Sequence, residues 1–164
     1  MQQGGYTVTV IDVKSGTGAV PVSVVQGDIA DEKTWETALA AGPVAAVFHC
    51  AGLIQVEESM REPGRYFREN VAKSIAMLGH LRSVPSVPII FSSSAAVYGT
   101  PDTVPITETA ALRPKSAYGV TKRQFEEVLA WHYRVYGQRY GILMPRDPIK
   151  ASSSAISPRP ICCR

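Results

Sequence analysis

Tyr118 and Lys122 stand four residues apart in a segment whose apolar pattern predicts a helix. Residues at that spacing share one face of an α-helix, so the tyrosine hydroxyl and the lysine ammonium can project into one pocket. A tyrosine hydroxyl is a poor base near neutral pH unless a nearby cation favours its phenolate form. With that help, Tyr118 can take a proton from a substrate hydroxyl while a hydride leaves the same carbon atom. A tyrosine and a lysine on an ordinary helix surface would give the same pattern.

The elements that must position this pair are strands alternating with helices. Strands are predicted at residues 6–11, 22–25, 44–50, 87–91 and 137–143, and helices at 31–41, 63–82 and 116–136. The continuous apolar run at 44–50 is typical of a strand covered on both faces. Ser92, Ser93 and Ser94 follow the strand at 87–91. Strands and helices in this alternation predict an α/β fold with a parallel sheet and helices on both faces.

Caps and apolar stripes support the predicted helices. Asp31 and Ser116 stand at the first and last helix starts, where side-chain caps are expected. The apolar residues of the middle helix fall on one stripe, Phe67, Val71, Ile75, Leu78 and Leu81, and those of the last helix line up with the reactive pair, Tyr118, Lys122, Phe125 and Leu129. Trp35 and Trp131 are interpreted as core or packing residues, because nothing around them indicates a stacking platform.

Composition limits the function classes. The chain has 164 residues, 45% hydrophobic and 19% charged, which is ordinary for one globular domain. The net charge of +3 is small and the basic residues are scattered, so no nucleic-acid partner is expected. No apolar run is long enough for a membrane helix, and the N-terminus does not read as a leader, so a cytoplasmic location without a membrane partner is expected. Cys50, Cys162 and Cys163 lack ligand spacing, so no metal site is expected.

Three runs in order carry a family resemblance: SSSAAVYG at 92–99, PITE at 105–108 and SAYGVTK at 116–122. Together they resemble the UDP-glucose 4-epimerases, which belong to the NAD-dependent epimerase/dehydratases of the extended short-chain dehydrogenase/reductase family. The resemblance implies that Ser94 hydrogen-bonds the substrate oxygen, that Tyr118 is the acid/base, and that Lys122 holds the nicotinamide ribose and tunes Tyr118. Ser92 and Ser93 would then be structural.

Shorter matches imply a binding site for NAD. Asp12 matches an acidic residue that binds the adenosine ribose, and Asp28 with Ile29 matches the pair beside the adenine. The run at 49–53, HCAGL, resembles the family's HxAG run at the pyrophosphate side, and Asn70 matches an asparagine behind the active site. The implied cofactor-binding residues are Asp12, Asp28, Ile29, Cys50, Ala51, Gly52, Leu53, Asn70, Tyr118 and Lys122.

Each of these matches also has an ordinary structural reading. Asp12 can merely cap a strand end, and His49 after an apolar strand is more often a satisfied core histidine than a catalyst. Cys50 is most simply a small buried hydrophobic residue. It is the series in register that favours the functional reading.

The reaction implied by the resemblance is reversible hydride transfer at C4 of a UDP-hexose, which interconverts UDP-glucose and UDP-galactose while NAD is recycled. Ala95 and Ala96 stand where 4,6-dehydratases usually have an acidic pair, which favours an epimerase. Two alternatives stay open: another nucleotide-sugar epimerase or dehydratase, and a catalytically inactive fragment. The full-length family member is expected to be a homodimer.

Both ends of the chain depart from the family pattern. The resemblance implies a Rossmann-like doubly wound sheet whose first strand and glycine-rich turn would precede this chain, leaving a gap between the strands at 6–11 and 44–50. Gly16-Thr17-Gly18 is rejected as that turn, because Pro21 stands where GxGxxG needs its last glycine. We therefore expect an incomplete NAD-binding domain at 1–143, a disordered tail at 144–164, and no C-terminal substrate domain.

Overall fold

The structure, a computed structural model, describes residues 7–15, 22–101, 103–107 and 109–144. Its strands are β1 (Thr9–Asp12), β2 (Ser23–Gln26), β3 (Val47–His49), β4 (Ile89–Ser92) and β5 (Tyr140–Leu143). Every pairing is parallel: β1 pairs with β2, and β4 lies between β3 and β5. The predicted parallel α/β arrangement is confirmed.

The helices connect these strands in the predicted order. They are α1 (Glu32–Ala40), α2 (Val56–Arg61), α3 (Pro63–Phe67), a π-helical turn (Arg68–Ala72), α4 (Lys73–Leu81), a 3-10 turn (Ala95–Tyr98) and α5 (Ala117–Tyr136). None of the helices within the described ranges has the length and apolar character needed to cross a membrane.

The sheet is divided between β1 and β3. Within the described residues these two strands belong to separate sheets, and the division falls where the sequence analysis predicts a gap. The prediction that the strand at 44–50 is covered on both faces is wrong, because Phe48 in β3 is 50% exposed. An apolar run shows that a strand can be buried, but cover depends on which elements lie beside it.

A shared core holds the two sheets together. Its buried members are Trp35, Met77, Leu78, Leu81, Ile89, Phe91, Phe125 and Leu129. Ile11 of β1 and Ile29 after β2 pack against this cluster. The Trp35 indole Nε1 also donates to the Ile29 carbonyl oxygen at 2.8 Å. The first two strands are therefore joined to the rest of the molecule by this core and by α1.

The apolar stripe predicted for the middle helix is partly wrong. Ile75 is largely exposed, whereas Tyr66, Asn70 and Ser74 are buried. The π-helical turn explains the shift, because it widens one turn and rotates the residues around it away from the regular 3.6-residue period. Trp131 is also not a core residue: it is 62% exposed and lies under the Arg134 guanidinium, 5.0 Å from the ring centroid.

The other helix predictions have mixed outcomes. Ser116 caps α5, since its hydroxyl oxygen accepts from the Gly119 amide at 3.1 Å. Asp31 stands at the N-cap of α1 but makes no side-chain cap hydrogen bond. The rejected glycines at 16–18, Glu108 of the PITE run and residues 145–164 of the expected tail lie outside the described residues.

Candidate active site

The start of α5 is brought close to the turn that follows β4. A Cβ atom built on Gly119 would stand 2.5 Å from the Ala96 carbonyl oxygen, which is closer than real Cβ contacts. Only glycine therefore allows the helix to approach this turn without a shift. Ser94 precedes the turn and Tyr118 precedes Gly119, so this contact sets the separation of the two elements that carry them.

Tyr118 and Lys122 lie on the buried face of α5, as predicted. Both side chains are largely covered, with Lys122 only 5% exposed. The Lys122 ammonium donates to the Ser92 carbonyl oxygen at 2.9 Å. It also lies 4.8 Å from the centroid of the Phe91 ring and 5.8 Å from that of the Tyr118 ring. The lysine thus connects Tyr118 to the carboxyl end of β4.

Burial weakens proton binding by this lysine. It lowers the pKa of Lys122 to about 8, because the charged ammonium loses water, while Cys50 and Glu126 partly oppose the shift. The ammonium is therefore mostly protonated at neutral pH. Its charge lies in a poorly solvated site, where it acts on neighbouring groups more strongly than a surface lysine would.

The three serines after β4 make different contacts. The Ser92 carbonyl binds Lys122, and the Ser93 hydroxyl donates to Glu126 Oε1 at 2.5 Å. The Ser94 hydroxyl oxygen accepts from the Ala96 amide at 3.2 Å, which caps the 3-10 turn. Ser94 is partly exposed. Ser92 and Ser93 have structural contacts, as the sequence analysis expects.

A second group of predicted residues follows β3. Cys50, Ala51 and Gly52 are exposed, so the interpretation of Cys50 as a buried hydrophobic residue is wrong. Gly52 has a φ of +144°, and a Cβ there would stand 2.8 Å from Asn70 Oδ1. Asn70 Oδ1 accepts from the Leu53 amide at 2.7 Å, and its Nδ2 donates to the Leu53 carbonyl at 2.9 Å. The buried asparagine of the π-helical turn therefore holds this loop in shape.

His49 is a core histidine, as the ordinary reading states. Its ring packs against Phe91 and Phe125, with centroid separations of 5.5 and 5.2 Å. The Ser74 hydroxyl donates to the Asn70 carbonyl, which leaves its oxygen to accept from His49 Nε2 at 2.8 Å. Burial, with a smaller effect of the Lys122 charge, lowers the pKa of His49 to about 4. The neutral ring thus holds the Ser74 hydroxyl group, which in turn binds the Asn70 carbonyl.

The third predicted group lies at the ends of β1 and β2. Asp12 is exposed, and its Oδ1 accepts from the Lys14 amide at 2.8 Å. The Gly27 amide donates to the Asp12 carbonyl at 2.9 Å, which joins this strand end to the loop that carries Asp28. An exposed carboxylate at a strand end is suited to accept from vicinal hydroxyls of a ribose.

Both carboxylate oxygens of Asp28 already have partners. Oδ1 accepts from the Ala30 amide at 2.9 Å, and Oδ2 pairs with the Lys73 ammonium at 2.5 Å. Lys73 also pairs with Glu69 at 2.6 Å. Partial burial raises the pKa of Asp28, but the bonds to Lys73 and Ala30 lower it more, so that this pKa lies below its ordinary value. Asp28 is therefore ionised and fixed before any ligand arrives.

The predicted residues thus form three groups at the carboxyl ends of the strands: Ser94, Tyr118 and Lys122; Cys50 to Leu53 with Asn70; and Asp12 with Asp28 and Ile29. Ligands of open parallel α/β sheets bind at this edge.

Sequence reasoning missed Gly119, Lys73 and Glu126. Gly119 and Glu126 do lie on α5 beside the reactive pair, which was the one signal available. Within the described ranges, no cluster of three or more His, Cys, Asp or Glu residues could hold a metal ion.

The chain is similar in sequence to known enzymes. Residues 1–152 match the model of the NAD-dependent epimerase/dehydratase family. A UDP-glucose 4-epimerase of Streptococcus mutans is 37% identical over 145 residues, which are 85% of this chain and 44% of that relative. One from Azospirillum brasilense is 38% identical over 139 residues, 83% of this chain and 40% of that relative. The chain spans about two-fifths of the length of these relatives.

Solved structures agree with the sequence matches. The UDP-glucose 4-epimerase of Brucella ovis in complex with NAD has a TM-score of 0.81 and 35% identity, covering 87% of this chain and 45% of that one. The enzyme of Thermotoga maritima with UDP-glucose has a TM-score of 0.77 and 30% identity, covering 87% and 48%. The Rossmann-like fold expected from the resemblance is confirmed over this part. On these matches in sequence and structure, the chain belongs to the NAD-dependent epimerase/dehydratase family.

Proposed function

We propose that this chain carries the cofactor-facing part of an NAD-dependent nucleotide-sugar 4-epimerase that interconverts UDP-glucose and UDP-galactose. The observation that carries the proposal is the cluster at the start of α5. There the buried Lys122 ammonium lies beside the Tyr118 ring and binds the Ser92 carbonyl, two residues before Ser94. A tyrosine, a buried cation and a serine around one strand end suit proton transfer at a sugar hydroxyl.

The proposed roles follow from these contacts. Bound NAD would supply the hydride acceptor and donor for the sugar carbon. Tyr118 takes the proton of the sugar 4-hydroxyl and later gives it back, with the Lys122 ammonium 5.8 Å from the centroid of its ring. The Ser94 hydroxyl donates to the same sugar oxygen and fixes its position. Lys122 also binds a ribose hydroxyl of the nicotinamide half through its free N–H groups.

The residues at the other strand ends fit the rest of NAD. Asp12 is exposed and acidic, as a ribose-binding residue must be. The loop from Cys50 to Gly52 is exposed and small, and its glycine conformation is fixed by Asn70, which suits a close approach to the pyrophosphate. Asp28, with Ile29 beside it, is ionised and can accept from the adenine amino group through its remaining lone pairs.

The turn after Ser94 favours an epimerase over a 4,6-dehydratase. Ala95 and Ala96 occupy the two positions after the serine, where dehydratases usually have an acidic pair. The proposed chemistry needs no second acid there, because the proton returns to the oxygen it left and the hydride returns to the same carbon on its opposite face. We also propose the homodimeric assembly and the cytoplasmic location typical of the family, which size-exclusion chromatography and cell fractionation would test.

The direct test is turnover of UDP-galactose to UDP-glucose by the purified chain with NAD. Tyr118→Phe removes the proton acceptor, so we expect a loss of about 100- to 10,000-fold in rate. Tyr136→Phe is the matched control, because Tyr136 lies on the same helix but is exposed and stacks on Arg82. NAD bound without turnover, or equal rates in the wild type and Tyr118→Phe, would contradict the proposed activity.

A further inference from the structure

A buried hydrogen bond joins Ser93, which follows β4, to Glu126 of α5. It lies next to the proposed catalytic residues, but none of them takes part in it. The Ser93 hydroxyl donates to Glu126 Oε1 at 2.5 Å. Ser93 is 3% exposed and Glu126 is 7% exposed. A carboxyl group is costly to bury unless hydrogen bonds or nearby charges compensate for the lost water. A residue kept in so costly a place calls for a physical reason.

The position of the bond supplies one. Ser93 stands between Ser92, whose carbonyl accepts from Lys122, and Ser94. Its amide donates to the Leu143 carbonyl at 2.9 Å, so the backbone and the side chain of Ser93 are both held. Glu126 follows Lys122 by one helical turn and shares its face of α5. The bond therefore fixes the segment on which Lys122 and Ser94 both depend.

The charge of Glu126 acts on the same lysine. The titratable groups around Lys122 are His49 of β3, Cys50 after it, and Tyr118 and Glu126 on its own helix. Burial lowers the pKa of Lys122, and Cys50 and Glu126 raise it. His49 is neutral in the fold, so Glu126 is the carboxylate that favours the protonated ammonium.

We propose that Glu126 is a positioning residue: through Ser93 it fixes the carboxyl end of β4, and with its charge it keeps the Lys122 ammonium in place beside Tyr118. This inference rests on the proposed function, because it assigns Glu126 a part in that reaction. Glu126 touches neither substrate nor cofactor in this account. It acts through Ser93 and Lys122.

The test is the titration of the Lys122 side chain in the full chain labelled with ¹³C-lysine, followed by NMR and assigned with Lys122→Met. Glu126→Gln keeps the size and an oxygen that accepts from Ser93 but removes the charge. We expect the Lys122 midpoint to fall by about one pKa unit from its wild-type value. Glu127→Gln is the matched control, since Glu127 is exposed and pairs with Arg123, and it should leave the midpoint unchanged.

A second variant keeps the inference testable if Glu126→Gln does not fold. Ser93→Ala removes the hydroxyl group and with it the hydrogen bond to Glu126, and should lower the Lys122 midpoint by roughly half as much. It should also weaken NAD binding about fivefold, the worth of one typical hydrogen bond. A midpoint within about 0.2 units of wild type in the variant that folds would overturn the inference. If the wild type binds no NAD, the proposed function fails, but the titration still decides whether Glu126 controls Lys122.

Discussion

Two lysines near the carboxyl ends of the strands have opposite surroundings. Lys122 of α5, beside the end of β4, is almost fully buried, binds a carbonyl, and has its pKa lowered to about 8 by burial. Lys73 at the start of α4 keeps 28% of its side chain exposed and pairs with Asp28 and Glu69. The hydrogen bonds to Asp28 and then Glu69 raise the pKa of Lys73 despite its partial burial.

The difference separates a lysine that has no carboxylate partner in the described part of the chain from one that is held by two carboxylates. No carboxylate within the described residues forms an ion pair with Lys122, so its ammonium keeps N–H groups for a ligand and responds to small changes in nearby charge. Lys73 is saturated by two carboxylates, and its contribution is to fix the loop that carries Asp28. The stability of the region after β4 should therefore depend on pH and on how well its groups are shielded from water. The region after β2 should be sensitive to salt.

The largest expected effect is the pH dependence caused by His49. The folded pKa of His49, about 4, lies below its ordinary value of 6.5. Between these two values the unfolded chain binds a proton at His49 and the folded chain does not. Stability is therefore full above pH 6.5 and falls as the pH drops towards 4, by about 3 kcal/mol in total. Urea unfolding from pH 7.5 to 4 should show this loss, and His49→Gln should remove most of it. Equal pH dependence in the wild type and in His49→Gln would contradict the burial of the His49 ring.

A smaller effect is expected where α5 approaches the turn after Ser94. Gly119→Ala should destabilise the fold by about 1–3 kcal/mol, because its Cβ would press on the Ala96 carbonyl. Gly79→Ala on α4 is a control of opposite sign, since nothing lies within 4 Å of a Cβ there, and helix propensity should stabilise it by about 0.5–1 kcal/mol. Thermal unfolding measures both. Similar effects of the two substitutions would show that the close approach at Gly119 does not exist.

The smallest effect belongs to the partly exposed ion pairs of Lys73. Lys73→Met should cost about 0.5–1 kcal/mol at low salt, and most of that difference should vanish in 1 M NaCl. The lowered pKa values of Asp28 and Glu69 give stability that is present above their unfolded pKa and is lost as pH falls through the folded pKa. Lys33→Met, at an exposed position of α1, is the control. A cost that does not depend on salt would place Lys73 with the buried groups and break the distinction between the two lysines.

Sequence reasoning recovered those features that depend on local pattern. The Ser116 cap and the stripe of α5 were predicted because a capped amphipathic helix is written in consecutive residues. The exposure of Phe48 and the contact of Gly119 with Ala96 were not, because both depend on elements distant in the sequence. The same holds for the bond between Ser93 and Glu126, two ordinary residue types whose pairing appears only when β4 and α5 pack together.

The middle helix shows a different reason for failure. A regular period predicts Ile75 on the buried stripe, but the π-helical turn rotates it outward and turns Asn70 towards Leu53. No residue pattern in that segment announces a π-turn. The irregular turn nevertheless places Asn70 behind the loop after β3. The exposure of Ile75 and the contact of Asn70 with Leu53 therefore have one cause.

The most direct test of the account is NAD binding by the purified chain, measured by thermal unfolding with and without the cofactor. A ligand that binds only the folded state must stabilise it, by about 2.7 kcal/mol at a concentration 100 times its Kd. We expect a rise in Tm that saturates with NAD and is smaller in Asp12→Ala. An unchanged Tm at millimolar NAD would mean that the residues at the strand ends of this chain do not form a cofactor site.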